Sequence, residues 1–235
     1  MSIIGIFQTV ADYTIIKPVK LAISTTVNST CKVASFVASL YTRENGIFFA
    51  LNNDAIAKKA EEYKDFSLRE KVIKGCSKGA QGFLISAATI IALHILLSQE
   101  DEGEEPSIDI TMSRALIAAI KEEVFIRGIL QNGVALTQKL ISHLSPESWK
   151  NNSIAQFCAS PASRILVVNS LFASLHLDNA GSYLSTKGAL IQSLSIALLP
   201  TYSTLHETTG DIIAPLFAHI TNNAITGIVT LGARM

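Results

Sequence analysis

The sequence contains few charged residues and few cysteines for its length. Of its 235 residues 16% are charged, against roughly 25% in an ordinary soluble domain. Lys+Arg and Asp+Glu balance at 19 each, so the chain as a whole offers no attraction for nucleic acid, and we expect no nucleic-acid partner. The cysteines Cys31, Cys76 and Cys158 are scattered and odd in number, which argues against a disulfide framework and a thiolate metal site.

Other common sequence signals are also missing. No basic residue precedes the apolar residues of "MSIIGIFQTVADYTII", so this stretch lacks the basic region of a secretory signal. No alternation of apolar and polar residues is sustained, and neither Asn-Gly dipeptide, at 45–46 and 132–133, joins two alternating runs as a hairpin turn would, which argues against a β-sheet. The absence of His-Glu-x-x-His excludes the common zincin signature.

Apolar residues are abundant instead. They make up 49% of the chain, and its mean hydropathy is +0.36. Five apolar segments occur, at 79–97, 110–137, 161–177, 189–205 and 212–232. A helix needs about 20 apolar residues to span a bilayer, and in lipid a helix satisfies its own backbone hydrogen bonds. The pattern therefore predicts an all-α, polytopic transmembrane helical bundle, integral to the membrane and in contact with its lipids. A soluble all-α protein with a very apolar core is an alternative.

The amino-terminal part is more basic than the rest. Residues 1–79 contain these Lys and Arg residues: Lys17, Lys20, Lys32, Arg43, Lys58, Lys59, Lys64, Arg69, Lys71, Lys74 and Lys78. We therefore predict two regions, a helical and partly amphipathic extension at 1–79 and a membrane domain at 80–235. The positive-inside rule places the extension in the cytoplasm. It could lie along the membrane surface, form a weak span, or pack against the bundle.

Several ionisable and polar residues interrupt the apolar segments, where such residues are costly and usually functional or paired. The second segment contains Glu122, Glu123 and Arg127. Glu123 and Arg127 are four residues apart, in the favoured order for an ion pair on a helix. Glu122 is turned about 100° from Glu123, so it lacks that partner.

The third and fifth segments each carry a histidine. Phe172 and His176 are four residues apart, as are His219 and Asn223, so each pair shares one helix face. Three helices therefore each have a polar face in lipid, and we expect these faces to meet inside the bundle.

The residue types favour hydrolysis. Glu122 is suited to be the general base for a water. The histidines could hold that water, bind a metal, or donate to an oxyanion, and the amide of Asn223 is of the oxyanion-donor type. One glutamate and two histidines also form a known catalytic zinc set, which makes Glu122, His176 and His219 the candidate ligands of a divalent metal such as Zn.

A non-catalytic interpretation accounts for the same residues. Interhelical hydrogen bonds are common in membrane proteins, at about 0.6 kcal/mol each. The polar faces would then be contacts within an immunity-type, partner-binding or scaffold protein. Catalysis requires the carboxylate, imidazoles and amide to surround a hydrated cavity, whereas this alternative predicts that they are paired and dry.

The three pairs together resemble a known family. "EEVFIRG" is similar to the Glu-Glu-x-x-x-Arg motif of the CAAX protease and bacteriocin-processing family (CPBP or Abi), a family of intramembrane proteases. "FASLH" resembles its Phe-x-x-x-His motif and "HITNN" its His-x-x-x-Asn motif. The motif order agrees, and the resemblance covers roughly residues 80–232. Family members often have Phe directly before the motif arginine, where this chain has Ile126.

The resemblance implies an intramembrane endopeptidase with a protein or peptide substrate, which in the prenyl-protein branch is prenylated. It gives Glu122 the activation of water, and Glu123 and Arg127 a supporting role. It gives His176 the positioning of water, and His219 and Asn223 the stabilisation of the oxyanion. The metal requirement stays open.

Overall fold

The computed structural model describes residues 41, 43–96, 112–179 and 184–232, which form helices and connecting turns. The first helices are α1 (Ile47–Ala50), α2 (Asn53–Tyr63), α3 (Leu68–Leu96) and α4 (Met112–Glu123), followed by a π-helical turn (Val124–Gln131) and α5 (Asn132–Leu144). Then come α6 (Glu147–Lys150), α7 (Ser153–Cys158), α8 (Pro161–Leu175), a 3₁₀ turn (His176–Asn179), α9 (Thr186–Leu198), α10 (Thr201–Thr209) and α11 (Ile213–Gly232). The predicted all-α class is confirmed. Most of the predicted amino-terminal extension, residues 1–40, lies outside the described residues.

Local sequence determines where several helices begin and end. Ser160 and Ser185 cap α8 and α9, their hydroxyls accepting hydrogen bonds from the backbone N–H groups of Ser163 and Gly188. Serine is favoured at this position because its oxygen satisfies a free N–H of the first turn. The segment 189–205, predicted as one apolar stretch, is divided between α9 and α10 at Pro200, since proline supplies no backbone N–H to a helix interior.

Helix α11 packs along α3, α4 and α10. Its approach to α3 is very close. A Cβ atom added to Gly75 would overlap the carbonyl oxygen of Ala214, and one added to Gly79 would overlap that of Ala218. Small residues four apart on both helices permit this approach, as in many membrane helix pairs. The Gly75–Gly79 pair therefore sets the position of α11, which carries His219.

Helices α4 and α5 are joined without a break through the π-helical turn. Glu123, Arg127 and Gln131 are each 0% exposed, so three polar side chains at four-residue intervals point into the protein. A π-helix winds with more residues per turn than an α-helix and is frequently found at functional sites. Residues four apart lie on the same face of a helix, which brings these three side chains to one side.

One described helix is long and apolar enough to cross a membrane, with a 26-residue stretch at Leu68–Leu93, and a shorter apolar helix is Ile213–Val229. Helix α3 continues through the predicted boundary at residue 79. The further predicted spans are shorter or carry more charge among the described residues, so a multi-pass arrangement remains a prediction.

Glu44 attaches the segment before α1 to α2 and α3. Its carboxylate lies 2.8 Å from Lys78 Nζ, 3.2 Å from Lys74 Nζ and 3.3 Å from Lys59 Nζ, and it accepts a hydrogen bond of 3.1 Å from the Tyr63 hydroxyl. Burial alone would raise the pKa of Glu44, but the contacts with Lys78 and Lys74 outweigh it and lower the pKa from 4.5 to about 2. This carboxylate is therefore ionised at neutral pH.

Candidate active site

The glutamates of the first motif meet the histidine of the third. Glu123 lies at the end of α4, and its Oε1 accepts a hydrogen bond from His219 Nδ1 on α11 at 2.9 Å. On the other side of the ring, His219 Nε2 lies 3.6 Å from Glu122 Oε2. Glu123 is fully buried, whereas the Glu122 side chain is 36% exposed. The two adjacent glutamates therefore differ in their environment. Glu123 binds His219 in the protein interior, and Glu122 is accessible to solvent.

The buried glutamate is also paired with Arg127. Arg127 Nε lies 3.5 Å from Glu123 Oε2, and both side chains are 0% exposed. The pair that the four-residue spacing predicts is thus present, although in the interior. Because the guanidinium favours an ionised Glu123, the carboxylate accepts the proton of His219 Nδ1–H. In neutral His219, Nε2 is then the nitrogen without a proton, and it faces Glu122.

Phe172 connects all three motifs. The guanidinium carbon of Arg127 lies 5.1 Å from the centre of the Phe172 ring, within the range of a cation–π contact. The same ring makes edge contacts with His176 and His219, at centroid distances of 4.7 and 6.1 Å. Phe172 is 3% exposed and packs with Ile126. It therefore holds these side chains in place from α8.

His176 follows α8 directly and is oriented by its own helix. Its Nδ1 lies 2.8 Å from the carbonyl oxygen of Phe172. Because a carbonyl oxygen only accepts hydrogen bonds, Nδ1 carries the proton and Nε2 is left as an acceptor. Both motif histidines therefore have Nε2 available while Nδ1 is held.

A pocket of about 290 Å³ opens beside these residues. Its polar wall consists of Lys121, Glu122, His176 and Asn179. Its apolar wall consists of Phe125, Ile126, Phe172 and Leu175. Glu122 and His176 thus share one cavity, whereas Glu123 and His219 are buried and are not among the residues that line it.

Asn223 occupies a different position from the other motif residues. It is partly buried on α11, and its Nδ2 donates a 3.0 Å hydrogen bond to the carbonyl oxygen of Ala115 on α4. It is not part of the pocket wall. The amide holds α11 to α4 in this structure, and its role as an oxyanion donor stays a prediction.

The predicted metal ligands Glu122, His176 and His219 do not form a recognisable metal site in the described residues. Within residues 41–96, 112–179 and 184–232 where described, no three or more His, Cys, Asp or Glu side chains are grouped to hold a metal ion. The Nδ1 atoms of His176 and His219 are already bound by Phe172 and Glu123. A metal held by Glu122, His176 and His219 therefore remains a prediction.

The structure adds Tyr202, which the sequence analysis did not identify. Its ring stacks on His219, with centroids 4.6 Å apart and planes at 16°. It lies directly after Pro200 and Thr201 at the start of α10. Nothing in the sequence distinguishes Tyr202 from other aromatic residues in apolar segments, because the contact depends on the packing of α10 against α11.

A second polar network joins the end of the π-helical turn to α8 and α10. Arg164 on α8 donates to both carboxylate oxygens of Glu207 on α10, at 2.7 and 2.6 Å. Gln131 Nε2 donates to the same carboxylate at 2.7 Å. Arg164 also donates to Gln138 of α5 at 2.5 Å. Bidentate pairs of this type are geometrically specific, so they fix the turn that carries Arg127.

Comparison with known proteins gives one match. The profile of the family described as "Type II CAAX prenyl endopeptidase Rce1-like" matches residues 104–225, just over half of the chain, and this range contains all three motifs. No curated protein matches the chain. No solved structure matches it either. The resemblance inferred from the motifs is confirmed, and the chain belongs to the Rce1-like family of type II CAAX prenyl endopeptidases.

Proposed function

We propose that this protein is an intramembrane endopeptidase in which Glu122 activates the attacking water. The observation that carries the proposal is the different setting of the two adjacent glutamates. Glu123 is buried and bonded to His219, whereas Glu122 lies in the pocket wall, with His219 Nε2 at 3.6 Å. A general base must reach the proton it removes, directly or through one water, and Glu122 alone of the two faces the pocket.

The proposed reaction follows from these positions. A water in the pocket donates one hydrogen bond to Glu122 and the other to the Nε2 atom of His176, while His219 contacts Glu122 from outside the pocket wall. As the water oxygen attacks the carbonyl carbon of the peptide bond, its proton passes to Glu122 and a tetrahedral oxyanion forms. Glu122 then returns the proton to the amide nitrogen as the C–N bond breaks. The products are a carboxylic acid and an amine.

The supporting residues keep this arrangement rigid. Glu123 fixes the His219 ring through Nδ1, and Arg127 neutralises the buried Glu123. Stabilising the oxyanion requires a donor close to the new charge. The Lys121 ammonium lies in the pocket wall and supplies a candidate. Asn223 would have to release Ala115 to take this role.

The substrate class follows from the family. Its name specifies prenylated CAAX peptides, and the apolar wall of Phe125, Ile126, Phe172 and Leu175 suits aliphatic side chains near the cleaved bond. We therefore propose a peptide substrate, with the prenylated CAAX type as the first to test.

The non-catalytic alternative is supported by Asn223, which is paired across helices in the way that a structural contact would be. It is opposed by Glu122 and His176, which face a shared pocket. Interhelical contacts account for the buried polar residues. They do not account for the accessible Glu122, directly beside the buried Glu123.

The test uses the purified protein in lipid vesicles with a fluorogenic prenylated CAAX peptide and its unprenylated counterpart. Glu122→Gln should abolish cleavage while leaving thermal unfolding unchanged. Glu147→Gln, an exposed carboxylate on α6, is the matched control and should retain full activity. Undiminished cleavage by Glu122→Gln would exclude Glu122 as the base. Lack of cleavage of every peptide by the wild-type protein would favour the non-catalytic alternative.

A further inference from the structure

Buried polar atoms without hydrogen bonds are concentrated between the π-helical turn and α10. All three guanidinium nitrogens of Arg127 make no hydrogen bond with any described protein atom, and this side chain is 0% exposed. The same is true of Gln131 Oε1, Ser203 Oγ and Thr204 Oγ1. Buried polar atoms in native proteins nearly always have a partner, which is either protein or ordered water.

These residues belong to two elements that are in contact through Gln131 and Ser203. Gln131 Nε2 donates to the carbonyl oxygen of Ser203 at 3.1 Å, which brings the amide against α10. Thr204 is the next residue on α10, and Arg127 lies four residues before Gln131 in the π-helical turn. Ser203 and Thr204 are 0% and 2% exposed, so this part of the interface is closed to bulk solvent.

The chemistry of the four groups identifies their partner. Arg127 only donates hydrogen bonds, the Gln131 oxygen only accepts them, and the two hydroxyls do both. The partner must therefore accept from the guanidinium and donate to the amide oxygen. An anion satisfies the first requirement but not the second, and the carboxylate of Glu123 beside Arg127 would repel it. Water satisfies both.

We propose that ordered water molecules occupy the interface between the π-helical turn and α10, bound by Arg127, Gln131, Ser203 and Thr204. These waters hydrate the guanidinium from the side opposite Glu123. They stabilise the charge that keeps Glu123 ionised, and so keep the proton on His219 Nδ1. Only this last consequence rests on the proposed function, because the hydration site itself is independent of proteolysis.

The experiment detects the bound water directly by NMR. The full chain is labelled with ¹⁵N-arginine and studied in detergent micelles. The chain has six arginines, Arg43, Arg69, Arg114, Arg127, Arg164 and Arg234. The Nε–H signal of Arg127 is assigned by replacing each of the other five with lysine. We expect a cross-peak between water and this Nε–H group with the sign of a long-lived contact.

Variants of the proposed water-binding residues are compared with a control variant elsewhere in the protein. Ser203→Ala together with Thr204→Val should remove or strongly weaken the cross-peak, and Ser203→Ala alone serves if the double variant does not fold. Thr137→Val is the control, because Thr137 is exposed on α5 and donates to its own helix at Gly133; it should leave the cross-peak intact. Absence of the cross-peak in the folded wild-type protein, or its persistence at full strength in the folded serine variants, would overturn the proposal. A wild-type protein that cleaves no peptide but shows the cross-peak would contradict the proposed function and leave the hydration site standing.

Discussion

His219 Nδ1 on α11 donates a hydrogen bond of 2.9 Å to Glu123 Oε1 at the end of α4. This bond joins two motifs that lie 96 residues apart in the chain. It also makes the second glutamate of the Glu-Glu pair a buried partner of histidine and leaves the first facing the pocket. The different environments of two adjacent carboxylates are the basis of the predictions about the site.

The Glu123–Arg127 pair should be essential for stability, with strongly coupled contributions. Glu123→Gln leaves the buried guanidinium without its counter-charge, which typically costs about 3–5 kcal/mol. Arg127→Met should be similarly harmful. The double variant should lose clearly less than the sum of the two, because no charge is then left uncompensated. Chemical unfolding in mixed micelles measures each free energy. Additive losses would show that the two charges do not interact.

Tyr202 should act through the position of His219. Tyr202→Phe retains the stacked ring and should retain most of the activity. Tyr202→Leu removes the aromatic face and should lower kcat with little change in KM, because His219 is no longer held flat between Glu123 and Glu122. Steady-state kinetics and the pH profile of kcat/KM measure both variants. If Tyr202→Phe and Tyr202→Leu change kcat equally, the stacked ring does not position His219.

The close approach of α3 and α11 should tolerate no side chain at Gly79. Gly79→Leu would place its Cβ against the carbonyl of Ala218, next to His219, and so should separate the helices and abolish activity. Gly82→Ala is the matched control on the same helix, since its Cβ would lie 3.8 Å from the Thr201 hydroxyl. Alanine is also the better helix former, by roughly 1 kcal/mol. Thermal unfolding should therefore show destabilisation for Gly79→Leu and none for Gly82→Ala. Normal stability of Gly79→Leu would contradict the packing of these two helices.

Glu44 should make the stability of the folded protein depend on pH in the acidic range. Its pKa in the folded state is about 2, below the ordinary value of 4.5. Its contribution is therefore present above about pH 4.5 and is lost as the pH falls towards 2. Integrated over that shift, the contribution is at most about 3 kcal/mol. Glu44→Gln should be destabilised at pH 7, and its difference from wild type should shrink between pH 4.5 and pH 2.

Glu61→Gln is the control for Glu44, because Glu61 is 73% exposed and pairs only with Lys64 among the described residues. Exposed ion pairs contribute little, so this variant should unfold like wild type throughout. Thermal unfolding in micelles across this pH range makes the comparison. A constant difference in stability between Glu44→Gln and wild type from pH 7 to pH 2 would show that ionisation of Glu44 does not stabilise the fold.

The sequence predicted the parts of the site that depend on spacing within one helix. Four-residue intervals placed Glu123 with Arg127, and Phe172 with His176, because a helix brings such residues to one face. The apolar segments likewise predicted the helical class. The family resemblance followed from the order of the three motifs.

Features that depend on contacts between helices could not be predicted in this way. The sequence does not indicate which glutamate binds His219, because that depends on how α4 is rotated against α11. It does not indicate that Asn223 binds the backbone of Ala115, nor that Tyr202 stacks on His219. The segment 189–205 was predicted as one apolar stretch, so its division at Pro200 and the resulting positions of α9 and α10 were not predicted.

The π-helical turn has a consequence for how this protein tolerates changes in length. The turn is already wound with more residues per turn than an α-helix, so inserting a further residue between Val124 and Gln131 would rotate everything that follows by about 100°. Gln131 would then leave Glu207, and α5 would present a different side to its neighbours. The connection after α5, where Ser145 is half-buried and Pro146 is exposed, has no such constraint. Insertions should therefore be accepted after α5 and rejected within the turn.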